Sequence, residues 1–348
     1  VSVRVAEARA AAARWVAAHA RPRPDYRGAY FSGSTVGRPD DAVLPASSDV
    51  DVVVVTEGDE APAKPGKLLH EGVLLEITYV PWAELRDPDA VLGSYHLAGS
   101  FRRDTVIDDP TGRLRALYAH VAPRFAERTR VRLRCLDARH RVESRLAALD
   151  TSQPFPAQVM AWLFPTGVTT HVPLVAALRN PTVRLRYPAV RDVLTAYGHQ
   201  ELYPELLALL GCEGVSARQV SRHLAELTRT FDATVPVART PFFFSSDLTE
   251  RARPIAVDGS RELIDRGDHR EAVFWIVATF ARCHTVLGAD APALHAERLP
   301  AFRDAVAELT GITGTPDLLA RREEVLRFVP RLWTVTEEIL AANPDIGA

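Results

Sequence analysis

Residues Tyr30–Val55 read YFSGSTVGRPDDAVLPASSDVDVVVV. An apolar run, Ala29-Tyr30-Phe31, leads through Ser32 into a small-residue turn, Gly33-Ser34. A polar loop, residues 35–48, follows. A valine-rich run then begins with alternating acids, Asp49-Val50-Asp51. Side chains switch faces at every residue of a strand, so Asp49 and Asp51 share a face. Two carboxylates held side by side repel each other unless a cation lies between them. Hard divalent ions such as magnesium take oxygen ligands of this kind, together with waters and substrate phosphates. The turn offers backbone N–H groups and a hydroxyl, which suit a phosphate. The bland alternative is a hairpin whose two acids face solvent.

Further along, Val73–Val80 alternates as a strand. One face carries Leu74, Glu76, Thr78 and Val80, the other Val73, Leu75, Ile77 and Tyr79. A lone Glu in so apolar a strand is costly unless it has a partner or reaches solvent at a sheet edge.

The pattern of the first segment resembles the DNA polymerase β-like nucleotidyltransferase superfamily. Phe31-Ser32-Gly33-Ser34 matches the first half of that family's signature and Asp49-Val50-Asp51 the second. Arg38 and Ser48 sit where its antibiotic-modifying branch often carries them. In style the chain is most similar to aminoglycoside and lincosamide nucleotidyltransferases. The resemblance implies a third carboxylate ligand on a neighbouring strand, and Glu76 is the natural candidate. It further implies two Mg2+ ions held by Asp49, Asp51 and Glu76, with Gly33, Ser34, Arg38 and Ser48 toward the nucleotide. The implied reaction moves a nucleoside monophosphate, AMP first among them, from ATP or another NTP to an acceptor hydroxyl, releasing pyrophosphate. The implied acceptor is a small molecule, antibiotics included, in a cleft between two domains. A protein or RNA acceptor is the alternative, and a non-catalytic nucleotide-binding protein a third reading. Asp104, Asp137 and Glu143 are candidate general bases, each weighed against an ordinary surface carboxylate.

Composition narrows the class. The chain has 348 residues, 47% hydrophobic and 25% charged, with net charge −2. That is ordinary for a globular protein and offers no global basic field for nucleic acid. Of 42 lysines and arginines only Lys64 and Lys67 are lysines. Coding bias explains so many arginines, which makes them weak evidence for phosphate or RNA binding. Cys135, Cys212 and Cys283 lack zinc spacing and fit a reducing cytoplasm, the expected location. Charges at Arg4, Glu7, Arg9 and Arg14 interrupt the alanine-rich N-terminus, so it does not read as a signal peptide. No apolar run reaches the ~18 residues of a membrane span. A homodimer is compatible with all of this.

The expected fold class is α+β. Residues 1–122 form a polymerase β-like domain, a mixed sheet with flanking helices, and 123–348 an all-α domain. Expected elements include a helix over 2–20, strands over 29–33 and 49–55, and a hairpin of 67–70 and 73–80 around Glu71-Gly72. A helix over 89–102 and a strand over 105–107 complete the first domain, with Asp109-Pro110-Thr111-Gly112 as a turn. In the second, a long helix spans 126–149 and a break falls at Pro165-Thr166-Gly167. Gly198 and Gly211 end helices, Ser216 caps one, and 268–287 is the central helix. Arg218 and His223 form an Arg-x4-His spacing expected by chance. His284 reads as a core histidine, and Phe242–Phe244 as a latch under a long loop or the lining of an acceptor pocket. No P-loop and no G-x-S-x-G is present.

Overall fold

Alternation decides which way the first helix packs. In β2 (Val50–Thr56), Val50, Val52 and Val54 are fully buried on one face, while Asp49 and Asp51 point to the other. Strand β4 (Val73–Pro81) repeats the arrangement, with Val73, Leu75 and Ile77 buried and Glu76 opposed to them. Helix α1 (Val5–Trp15), continued by a π turn over Val16–Ala20, lays Ala8, Ala11, Ala12, Trp15 and Val16 on that valine face. Each buried valine or leucine contributes ~1.5–3 kcal/mol relative to exposure, so the acids are driven to the opposite face.

The computed structural model describes residues 3–45, 47–181 and 184–347. Ser2, the first residue of the helix expected over 2–20, lies outside them. The chain divides into two compact units, each with its own core. Unit 1 comprises Val1–Asp137, Leu178–Thr182 and Pro344–Ala348; unit 2 comprises Ala138–Ala177 and Val183–Asn343.

Unit 1 holds a five-stranded mixed sheet in the order β3-β4-β2-β1-β5, which makes the chain α+β. Strand β1 is Tyr26–Ser32, β3 Gly66–His70 and β5 Val106–Asp108. β1 runs antiparallel to β2 and β5, and β3 antiparallel to β4, while β2 and β4 are parallel. The β3–β4 hairpin turns on two residues with positive φ, Glu71 at 51° and Gly72 at 78°. Such a pair suits a tight hairpin. The helix expected over 89–102 is shorter. Helix α2 covers Trp82–Leu85 and α3 Pro88–Gly93. Ser94 is extended, and the Tyr95 N–H is taken by Asp137 Oδ2 at 3.0 Å instead of a helical carbonyl. Helix α4 (Arg113–Arg124) follows the turn after β5.

Helix α5 (Arg128–Ala147) carries the chain into unit 2. The break expected at Pro165-Thr166-Gly167 is absent. Helix α6 (Phe155–Val168) runs through all three, and the chain bends only before α7 (His171–Ala176). Proline forfeits one backbone bond there, but Pro165 is buried and the Thr166 hydroxyl donates to the Trp162 carbonyl at 2.8 Å. Helices α8 (Arg186–Ala196) and α9 (Leu202–Leu210) end at Gly198 and Gly211, both with positive φ. Ser216 caps α10 (Ala217–Thr234) in a capping box with Gln219. After irregular turns come α11 (Gly259–Asp265), α12 (His269–Asp290), α13 (Pro292–Thr310) and α14 (Thr315–Ala342). Helix α12 is the centre of the unit, packed by α6, α10, α11 and α13. Phe155–Ala176 and His269–Asp290 are long and apolar enough to cross a membrane, but both are mostly buried inside the protein. The core helices of globular proteins are often this long and apolar.

Candidate active site

Strand register assembles the site. Asp51 pairs with Ser32 on β1 and with Glu76 on β4, and Glu76 pairs with Lys67 on β3. Ser32, Asp51, Glu76 and Lys67 therefore form one rung across four strands, on the face away from α1. Asp49 projects from the same face two residues earlier. Oxygens of Asp49, Asp51 and Glu76 all lie within 4.8 Å of one another, close enough to share a cation.

The Gly33-Ser34 turn, part of a 3-10 turn over Gly33–Thr35, closes against this group. Gly33 has φ +66, and a Cβ there would fall 1.8 Å from Asp51 Oδ2. Position 33 must therefore be glycine for two reasons, backbone conformation and space. The Ser34 backbone beside it favours the ionised Asp51 carboxylate, a smaller effect than burial, and the Ser34 side chain is exposed. Two distant residues hold the turn in place. Asn180 donates from Nδ2 to the Gly33 carbonyl at 2.9 Å, and Ser100 Oγ donates to Ser32 Oγ at 3.0 Å.

Arg9 on α1 fixes the loop that follows, bonding Asp40 at 2.5 Å and the Thr35 carbonyl at 2.6 Å. Arg38 is half-buried in that loop, and its guanidinium makes no ion pair among the described residues. Ser48 is half-buried beside Asp49, its N–H on the Pro45 carbonyl at 3.0 Å.

Charge at the site is unevenly shared. Burial, with the charges of Asp49 and Glu76 added, pushes the Asp51 carboxyl up to about 8. Burial also raises Asp49, against the pull of Lys67. Glu76 goes the other way. Burial would raise it, but Lys67 and Lys64 more than offset that and hold it at about 2. The donor set is all hard oxygen, and the two lysines leave Asp51 short of positive charge. Three such carboxylates fit a divalent ion of the magnesium or manganese kind.

Both lysines escaped the sequence reading as site residues. Lys67 Nζ bonds Glu76 Oε2 and lies 3.0 Å from Asp49 Oδ2; Lys64 Nζ lies 3.0 Å from Glu76 Oε1. Their rarity in an arginine-rich chain was the available signal. Arg9 and Asn180 left no such trace.

No protein-family model matches the chain, and no curated protein matches it. One solved structure is similar: a nucleotidyltransferase-like protein from Exiguobacterium sibiricum 255-15, 14% identical, covering 74% of this chain and 91% of that one, with a TM-score of 0.28. The chemistry of the site stands on its own geometry.

The remaining candidates are engaged elsewhere. Asp137 holds the Tyr95 N–H, Glu143 pairs with Arg139 along α5 at 2.9 Å, and Asp104 accepts from the Val106 N–H at 3.1 Å. His223 is buried, with Nε2 3.1 Å from Glu308, which also binds Arg222. His284 is buried and stacked on Phe302. Phe244 is buried and stacks on Phe242, while Phe243 is 76% exposed.

Proposed function

We propose that the chain is a divalent-metal-dependent nucleotidyltransferase. The observation that carries this is the carboxylate group Asp49, Asp51 and Glu76, gathered by strand register and closed by the Gly33-Ser34 turn. Two acids that merely faced solvent would have no need of a glycine pressed against one of them.

Asp49, Asp51 and Glu76 are the residues that would hold metal. A bound divalent ion supplies charge neutralisation at phosphoryl oxygens and lowers the pKa of a coordinated hydroxyl. The chain's own groups do the rest. The Ser34 side chain is exposed, and its hydroxyl is what the turn offers to a phosphate. Arg38 supplies a guanidinium to the triphosphate from a loop that Arg9 stiffens. In the reaction the acceptor oxygen bonds to the α-phosphorus, the bond to pyrophosphate breaks, and the hydroxyl proton passes to solvent or a base. ATP with Mg2+ is the leading pair. The leading acceptor is a small-molecule hydroxyl compound, antibiotics among them, and its recognition is assigned to the helical unit by resemblance.

The test is NTP binding with and without Mg2+, followed by pyrophosphate release across small-molecule hydroxyl acceptors, RNA and protein. Asp49→Asn should abolish metal-dependent binding and turnover. A variant that binds and turns over like the wild type removes this reading. Release with RNA or protein alone changes the acceptor class.

A further inference from the structure

The chain carries two lysines, Lys64 and Lys67, and both touch Glu76. Coding bias accounts for arginine at every other basic position. It does not account for the two exceptions meeting at one carboxylate. They also differ in kind. The Lys64 side chain is 32% exposed, whereas that of Lys67 is 5% exposed and bridges Asp49 and Glu76. The β3–β4 register sets Lys67 directly opposite Glu76, so it is delivered to this place by the hairpin. The side-chain chemistry matches the position. An ammonium is a compact point charge with three donors and can sit between two carboxylates, whereas a planar guanidinium fork pairs best with one.

We propose that the Lys67 ammonium is a permanent cation of the carboxylate site, occupying the gap between Asp49 and Glu76, so that the site takes one divalent ion and not two. Charge counting agrees. Three ionised carboxylates carry three negative charges; the buried lysine cancels one, and the more exposed Lys64 offsets part of another. A single divalent ion cancels what remains, while a second would leave the group strongly positive before any nucleotide arrived. The ion is left the Asp49–Asp51 side, where Asp49 directly precedes β2 and Asp51 stands within it. This inference rests on the metal-site reading above and revises the ion count that the family resemblance implies.

Equilibrium titration of the full chain with Mn2+, following free ion by its paramagnetic resonance, separates the cases without any turnover. The wild type is expected to bind one Mn2+ per chain. Lys67→Met, which keeps the alkyl stem and removes the charge, is expected to bind two. Any wild-type count other than one overturns the proposal, and this holds even where the variant fails to fold. A folded Lys67→Met chain that binds like the wild type overturns it as well. Neither result depends on nucleotidyl transfer, whose failure would show instead as absent pyrophosphate release from a chain that still counts one ion.

Discussion

Gly33 and Asp51 occupy adjoining space so tightly that a Cβ at position 33 would lie 1.8 Å from Asp51 Oδ2. The same glycine has a left-handed backbone, with φ +66. Gly33→Ala should therefore cost ~1 kcal/mol or more in stability from its backbone alone. It should also push the Asp51 carboxylate aside, and a displacement of that order can cost ~10²-fold in rate. Thermal melting and pyrophosphate release check the two parts, and wild-type turnover in the variant would show that the contact is dispensable.

Burial, with Asp49 and Glu76 alongside, pushes the Asp51 carboxyl up to about 8 from the ordinary 3.8. A carboxyl raised in the fold contributes stability that is complete below its unfolded value and lost as pH rises through the folded one. Asp51→Asn removes the ionisation. Melting in metal-free buffer above pH 8 should then rise by a few degrees, about 1 kcal/mol. Turnover should drop by ~10³-fold with the lost ligand. A variant both less stable at that pH and fully active would contradict the assignment.

His284 makes an acid-side prediction in unit 2. Burial, with His295 beside it, lowers its pKa from 6.5 to about 3. Its Nδ1 meets His295 Nδ1 at 3.2 Å, its Nε2 has no partner, and its ring stacks on Phe302 at 4.8 Å. The fold keeps the neutral ring, whereas the unfolded chain takes up a proton. Stability should be complete above about pH 6.5 and be lost as pH falls toward 3, by an amount on the order of a few kcal/mol. His284→Phe preserves the stacking and should flatten urea-denaturation stability over that window. An unchanged slope would place the acid sensitivity in other groups.

Glu271 is buried on α12, where it accepts from the Tyr203 hydroxyl and from Arg191 Nη1 at 3.2 Å. Arg191 also bonds Asp268 at 2.8 Å. Glu271→Ala leaves a buried phenol and a guanidinium short of an acceptor, and should destabilise by ~3 kcal/mol. Glu271→Gln retains an acceptor for Tyr203 and should cost less. Equilibrium denaturation orders the two, and equal losses would mean that the charge alone matters.

Much of the site was legible in the sequence because period two is a strict rule. Asp49-Val50-Asp51-Val52 can bury its valines only by turning both acids to the other face, and α1 covers the valines. Glu76, alone among apolar neighbours, is opposed to Leu75 and Ile77 for the same reason. The Gly33-Ser34 turn announced itself by residue type. The helix breaks at Gly198 and Gly211 did likewise, while the proline at 165 misled, since a buried helix can absorb one missing bond.

What remained out of reach was long-range. Asn180 lies 147 residues from the Gly33 carbonyl that it holds, and nothing local marks it for that task. Lys67, by contrast, was within local reach, since the hairpin turn at Glu71-Gly72 sets it opposite Glu76 within one short segment. Sequence by itself determined the face on which each acid stands, because a strand has only two faces and one was filled by valine. Only the tertiary structure decided that β4 lies parallel to β2 with Glu76 level with Asp51. A shift by two residues would keep every side chain on its face and still carry the carboxylate away, so alternation alone cannot choose between those registers.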